Sequence, residues 1–468
     1  MQTIKDRADF MVNFSGMEFV FRFFPVFLLV YYAVPRRYRE FVFLAGSYVF
    51  YAAGELVFLP LLAGLTVLNY LVGKKVKEHE GSYIVYRWQK AKRRRLLVLS
   101  LVLDVGVLVL FKALGTFVDN SLLPLGISFY IFKMISYQVD LYKGEIWEQT
   151  GFVSAALYFS MFPQVVSGPI MRYNDAGDGS RREYSLEHFE DGLKYFVIGL
   201  GMKVLLADRL GILWNDLQMI GFQSISTPLA WLGAAGYSLQ LYFDFWGYSL
   251  MASGILVMLG YEFIENFHHP YASGSISEFY RRWHMTLGSF FRDYVYIPMG
   301  GSRCRGSRQI LNLAVVWLLT GIWHGNGLNF ILWGAVLGIL IILEKMCYGR
   351  LLARLPVIRN LYVLVLIPLT WVIFAITDLG KLGIYFGRLF PFIGGAGIAV
   401  NSQDIVRYSQ NYGGLLLAGA LLCVPAVFRF YDRHKKNPVI ILLLAVVFWY
   451  SVYFMASSAG NPFMYFKF

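Results

Sequence analysis

The chain has 468 residues, of which 57% are hydrophobic, 18% aromatic and only 15% charged. A soluble chain of that length would ordinarily form two or three domains, but repeated apolar runs long enough to cross ~30 Å of hydrocarbon exclude that class. The formal net charge of +13 falls mostly in short loops between those runs, where membrane orientation accounts for it. No recognition motif accompanies the charge, so nucleic acid is not expected as a partner. Part of the excess could attract an anionic donor such as a coenzyme or an acidic carrier protein.

Residues 1–16 form a polar extension without the pattern of a cleavable signal, so the first membrane span is expected to act as the targeting signal. That span covers about 17–34 and stops at Pro35, followed at once by Arg36, Arg37 and Arg39. The next apolar block, about 41–73, is too long for one helix and is interrupted near Gly54-Glu55, which predicts two helices and a tight turn. Between Lys74 and Arg95 lie nine Lys or Arg residues. Both basic segments are expected in the cytoplasm, which places the N-terminus outside. A further span leaves at about 96–114 with Asp104 and Lys112 in it.

The segments 124–144 and 158–173 are apolar but broken by Pro, Gly and charges, and predict short, tilted or re-entrant helices lining protein or a wet cavity. Long apolar segments resume at about 193–206 and 228–261. Residues 262–308 are the most polar sizeable stretch of the second half. Spans then follow at about 361–376, 414–428 and 439–456. The basic run 429–437 is expected in the cytoplasm and the C-terminus outside. The expectation is one all-α polytopic domain over 1–468, with about ten to twelve transmembrane or re-entrant helices.

Cys304, Cys347 and Cys423 lie far apart and share no metal-ligand spacing. The polar residues in apolar surroundings are more informative. In LLTGIWHGNGLNFILWG (318–334), His324 follows Trp323 inside an apolar run, with Asn326 and Asn329 just behind. A polar group left unsatisfied at that depth costs ~2–7 kcal/mol, so an intramembrane imidazole is a functional candidate. Neutral, it could accept a proton from a hydroxyl as a general base; equally, it could be a hydrogen-bonded core residue joining helices. No third ligand for a metal is evident. His284 lies among Arg281, Arg282, Arg292 and Asp293, a polar setting that fits phosphate binding or an interfacial anchor. Gln240 and Asp244, four residues apart in GYSLQLYFDFWGYSL, share a helix face; Asp244 could orient a histidine or pair with an arginine.

With these residues in view, the chain resembles the membrane-bound O-acyltransferases, and in particular their bacterial alginate O-acetyltransferase branch. The likeness rests on MVNFSGMEFVFRFFPVFLLVYYAVP, PLGISFYIFKMISYQVDLYKGEI, FPQVVSGPIMRY and LYFDFWGYS in that order. ENFHHPYASGSISEFYRRWHMTLGSFFRDYVYIPMGG, LLTGIWHGNGLNFILWG and the terminal NPFMYFKF complete it. The resemblance implies that His324 matches the catalytic histidine and His284 the second functional position. It also implies a ring of helices around a thin centre with a tunnel linking two substrates. The donor would be a cytoplasmic thioester, acetyl-CoA or an acyl carrier protein, with no bound cofactor. The acceptor would be a hydroxyl of an extracytoplasmic polysaccharide or a relay protein, at the bacterial plasma membrane. On this reading His324 takes the proton of the acceptor hydroxyl. His284 positions the donor or stabilises the oxyanion, supported by Arg282, Arg292 and Asp293.

The chain departs from the branch at Leu250, where an acidic residue is usual, at Ala53-Gly54-Glu55 for WGE, and at Phe279-Tyr280-Arg281-Arg282-Trp283 for FWRRW; ten residues precede Met11, a second candidate start. The nearest alternative is D-alanyl transfer to teichoic acid from a carrier-protein thioester. A polysaccharide-precursor transporter, with the buried His and Asp as proton-relay groups, is an alternative of another class.

Overall fold

The computed structural model describes residues 13–77, 83–146, 151–166, 168–176, 182–394 and 403–457. Most of the polar extension, Met11 and the terminal NPFMYFKF lie outside the described residues. Among those described there are helices and no strand. Seven of the helical segments are long and apolar enough to cross a membrane, or eight if one pair bent by 71° is a single span. The protein is an all-α, multi-pass membrane protein.

By packing, the chain divides into two compact units. One comprises Met1–Phe196, Tyr248–Ile264 and Met455–Lys467, the other Val197–Gly247, Glu265–Phe454 and Phe468.

In the first unit, α1 (Phe24–Ala33), α2 (Arg39–Glu55), α3 (Leu59–Lys77), α4 (Tyr83–Phe117) and α5 (Ile127–Lys143) succeed one another. The block 41–73 does break where Gly54-Glu55 stands, through a single turn at Leu56–Phe58. Segment 124–144 differs from its sequence reading, because α5 is a continuous, mostly buried helix that counts among the candidate spans. Some of its polar residues find partners inside the protein: Lys133 donates to the Tyr158 carbonyl at 2.9 Å, and Gln138 donates to the carbonyl of Asn69, whose amide in turn donates to Asp104 at 3.0 Å. Such pairing removes the cost that predicted an irregular segment. Segment 158–173 is irregular as expected, with α6 (Phe152–Ser160) ending before the single turn α7 (Phe162–Val165). Phe162 there packs against Phe23, Phe27, Phe43 and Phe50 with ring centroids 5.1 to 5.6 Å apart.

Helix α8 (Leu186–Gly201) passes through a π-helical turn, Met202–Ala207, into α9 (Asp208–Ile220). Helix α10 (Thr227–Met258) is hydrophobic around its whole circumference, and its apolar window is buried throughout; such a helix belongs in a core. In the second unit, two short helices, α11 (Ile276–Arg282) and α12 (Met285–Phe291), carry the polar stretch 262–308. They precede α13 (Gly306–His324), α14 (Leu328–Leu343) and α15 (Pro356–Ala375). Helices α13 and α14 pack closely because glycines face backbone. A Cβ on Gly334 would stand 2.5 Å from the Trp317 carbonyl oxygen, and one on Gly321 would stand 2.6 Å from that of Phe330. Small residues of this kind let membrane helices approach without side chains between them.

Candidate active site

His324 is not in the middle of a span. It is the last residue of α13, and the chain breaks at Gly325–Gly327 before α14 begins at Leu328. The apolar run 318–334 is therefore two helix ends and a turn, which frees a side chain at the break to face a cavity. The imidazole is 5% exposed. Its ring meets Trp323 at 4.6 Å, Trp333 edge-on at 5.1 Å and Phe374 at 5.4 Å. Asn329 supports this corner, since its amide donates to the carbonyl of Phe374 at 2.9 Å and ties the start of α14 to the end of α15.

His284 occupies the single residue between α11's C-cap, Trp283, and α12. Its backbone is left-handed, φ 46° and ψ 53°, a conformation a residue with a Cβ adopts only when its surroundings enforce it. Asn266 does so. Its carbonyl oxygen accepts from the Met285 N–H at 2.9 Å. Its side-chain oxygen accepts from the Thr286 N–H at 3.2 Å, the Thr286 hydroxyl at 3.0 Å, and His284 Nδ1 at 3.2 Å. The ring of His284 packs edge-on against Phe245 at 4.6 Å and lies 6.4 Å from Trp323. It sits in the polar stretch outside the long apolar helices, and burial pushes its imidazole down to about 3, so the ring is neutral.

Both histidines line one cavity of about 430 Å³, together with Tyr280, Trp317, Trp333 and the exposed Arg281 and Arg292. The structure thus unites His324, His284 and Arg292, which lie on three separate segments. Trp323 stands in ring contact with both imidazoles. Arg282 does not line the cavity; it pairs with Glu278 at 2.6 Å along α11. Asp293 forms a two-point pair with Arg292, at 2.8 and 3.0 Å. Gln240 and Asp244 also lie off the cavity lining. Asp244 pairs with Lys203, at 2.7 Å, a partner the sequence reading did not name.

Asn266 and Lys203 escaped the sequence reading. Asn266 stands in ENFHHPY, two residues before His268, and neither His268 nor His269 belongs to the cavity lining. Lys203 was hidden in an apolar run, and the signal for it was the cation itself, in a segment too hydrophobic to leave it unpaired.

Residues 43–377 match the family model for MBOAT, the membrane-bound O-acyltransferase family, a range that includes both histidines and their cavity. The chain belongs to this family, and it is an O-acyltransferase. It is 38% identical over 443 residues to the protein of Pseudomonas syringae named "Probable alginate O-acetylase AlgI", covering 91% of this chain and 83% of that one. It is 32% identical to a peptidoglycan O-acetyltransferase of Helicobacter pylori, over 70% of each chain. A teichoic acid D-alanyltransferase of Bacillus subtilis is 30% identical over 46% of this chain and 57% of its own length.

Proposed function

We propose that the protein moves an acetyl group from a cytoplasmic thioester, acetyl-CoA or an acylated carrier protein, to a hydroxyl of an extracytoplasmic polysaccharide or of a protein that relays the group to one. On this reading both termini lie outside the plasma membrane, as the positive-inside bias of the loops suggests. The observation that carries this reading is the shared cavity, where His324 and His284 meet with two exposed guanidinium groups at hand. The likeness to alginate and peptidoglycan O-acetylating proteins over most of the chain supports acetyl as the group and a glycan as its destination.

His324 acts as general base. A ring nitrogen takes the proton of the acceptor hydroxyl as oxygen bonds to the thioester carbonyl carbon. The tetrahedral intermediate collapses with cleavage of the carbon–sulfur bond, the ester leaves, and the proton passes to the thiolate, so thiol and ester are the only products. Arg281 and Arg292 supply charge for the phosphate groups of the donor. Holding both substrates in one cavity converts the encounter into an effectively unimolecular step. Trp323, Trp333 and Phe374 pack the base between rings and hold its orientation.

The test compares ester-linked acids released by mild base from the envelope glycans of strains carrying the intact gene, His324→Ala, or a deletion. Acetate lost in both mutants is the expected result. Loss of D-alanine instead would move the protein to teichoic acid acylation with the same chemistry. No change in either ester would overturn the reading.

A further inference from the structure

The contacts of Asn266 determine which nitrogen of His284 carries the proton. An asparagine side chain offers one accepting oxygen and one donating NH₂. The Thr286 backbone N–H can only donate, and it points at the same Asn266 atom as His284 Nδ1. That atom is therefore the oxygen, and His284 Nδ1 must be the protonated nitrogen. In a neutral ring the other nitrogen is then a bare acceptor. His284 Nε2 is buried and has no hydrogen-bond partner among the described residues, although the residue lines the cavity. A buried acceptor without a partner is costly, and here the substrate can supply one.

Taking the proposed thioester donor as given, we propose that His284 is a donor-binding residue whose Nε2 accepts a hydrogen bond from the amide N–H of the donor's arm nearest the sulfur. Coenzyme A and carrier proteins present their acyl groups on the same phosphopantetheine arm, with an amide nitrogen two carbons from the sulfur, so one acceptor serves both. The arm is favoured over the acceptor hydroxyl because Arg281 and Arg292, which suit its phosphates, flank His284 in the chain and line the same cavity. The tautomer also removes one role expected from the sequence. Donation to an oxyanion would need a proton on Nε2, and with Nδ1–H committed to Asn266 that means an imidazolium, which burial opposes. Asn266 is the positioning residue of this arrangement.

The probes are two non-transferable acetonyl thioethers of pantetheine, one intact and one with the amide nearest sulfur replaced by an ester, which removes only that N–H. Their binding to the detergent-solubilised full chain is measured alongside acetyl transfer from acetyl-CoA or an acetylated carrier protein. The wild type is expected to bind the amide about 10- to 100-fold more tightly than the ester, the range for a buried group losing its partner. His284→Ala is expected to bind the two equally. Asn266→Leu, which frees the tautomer without removing the imidazole, is expected to lose most of the preference, and Asn266→Asp to retain it. Equal binding by the wild type, or an undiminished preference in His284→Ala, overturns the inference while leaving acyl transfer intact. Should His284→Ala fail to fold, an undiminished preference in Asn266→Leu has the same force. Absence of acyl transfer by the wild type from both donors overturns the functional reading itself.

Discussion

The Lys203 ammonium lies 2.7 Å from the Asp244 carboxylate, and each side chain is within 2% of complete burial. Lys203 also reaches Asp208 at 2.6 Å. Lys203 and Asp208 are five residues apart, and the intervening π-helical turn, Met202–Ala207, is what brings positions of that spacing onto one face. A cation set between two carboxylates in a dry interior has no substitute partner in water. Removing it leaves buried charge uncompensated, which costs about 3–5 kcal/mol. Lys203→Met and Asp244→Leu should each lower the unfolding midpoint in detergent strongly. The double variant should be less destabilised than the sum of the two, because it leaves only the partly exposed Asp208 behind. Strict additivity in thermal melts would show that the pair is not energetically coupled.

A second carboxylate acts on the cavity from outside it. Glu344, at the end of α14, accepts from the Ile276 N–H at 2.6 Å and the Ser277 N–H at 2.9 Å, and from the Ser277 hydroxyl at 2.5 Å. These amides are at the N-terminus of α11, where helix donors have no partner within the helix and a negative charge is favoured. Since α11 carries Tyr280 and Arg281 to the cavity wall, the cap sets the wall's position. Glu344→Ala should cost about 1–3 kcal/mol and raise KM for the proposed thioester donor. Glu344→Gln should recover most of the stability. Steady-state kinetics and melts on both variants check this; Ala and wild type with equal KM would detach α11 from donor binding.

Much of the fold could be read from the sequence because the membrane enforces a simple code. Apolar runs of sufficient length became helices, and the break at Gly54-Glu55 was legible because no single helix fits the block it interrupts. Three features were not legible. Helix α5 looked irregular because Pro, Gly and charges such as Lys133 interrupt its apolar run, whereas Lys133 donates to the Tyr158 carbonyl and Gln138 to that of Asn69, sixty-nine positions away in the chain. The run around His324 looked like one span because its break is made by glycines that composition counts as neutral. Asn266 acts through residues 284–286, and only the folded chain juxtaposes them. His324, by contrast, stood out because its surroundings are apolar enough to make an imidazole expensive, whereas His284, in a polar stretch, was singled out by its charged neighbours and by the family resemblance.

The placement of His324 predicts a separation of activity from stability. It ends a helix, packed between rings, so its replacement disturbs no repeated backbone pattern. His324→Asn should reduce acyl transfer by about 10²- to 10⁴-fold, the usual contribution of a general base, with expression and melting temperature near those of the wild type. Transfer within a few-fold of wild type in purified protein would sink the base assignment.

The neutral state of His284 gives a pH dependence whose sign follows from linkage. Its folded pKa, pushed down to about 3 by burial, lies below the ordinary value near 6.5. Below about pH 6.5 the unfolded chain therefore binds a proton that the folded protein does not, and acidification favours unfolding. This group contributes nothing to the pH dependence above that range. Between pH 7 and pH 5 it costs roughly 2 kcal/mol, from about 1.4 kcal/mol per unit over the interval below 6.5. His284→Gln, which cannot titrate, should lose less stability than the wild type over the same interval, even if it begins less stable at pH 7. Denaturant or thermal melts of both proteins at the two pH values give the comparison. Parallel losses would mean that His284 takes up a proton in the folded state. The acceptor role of Nε2 would then be confined to pH values above that protonation.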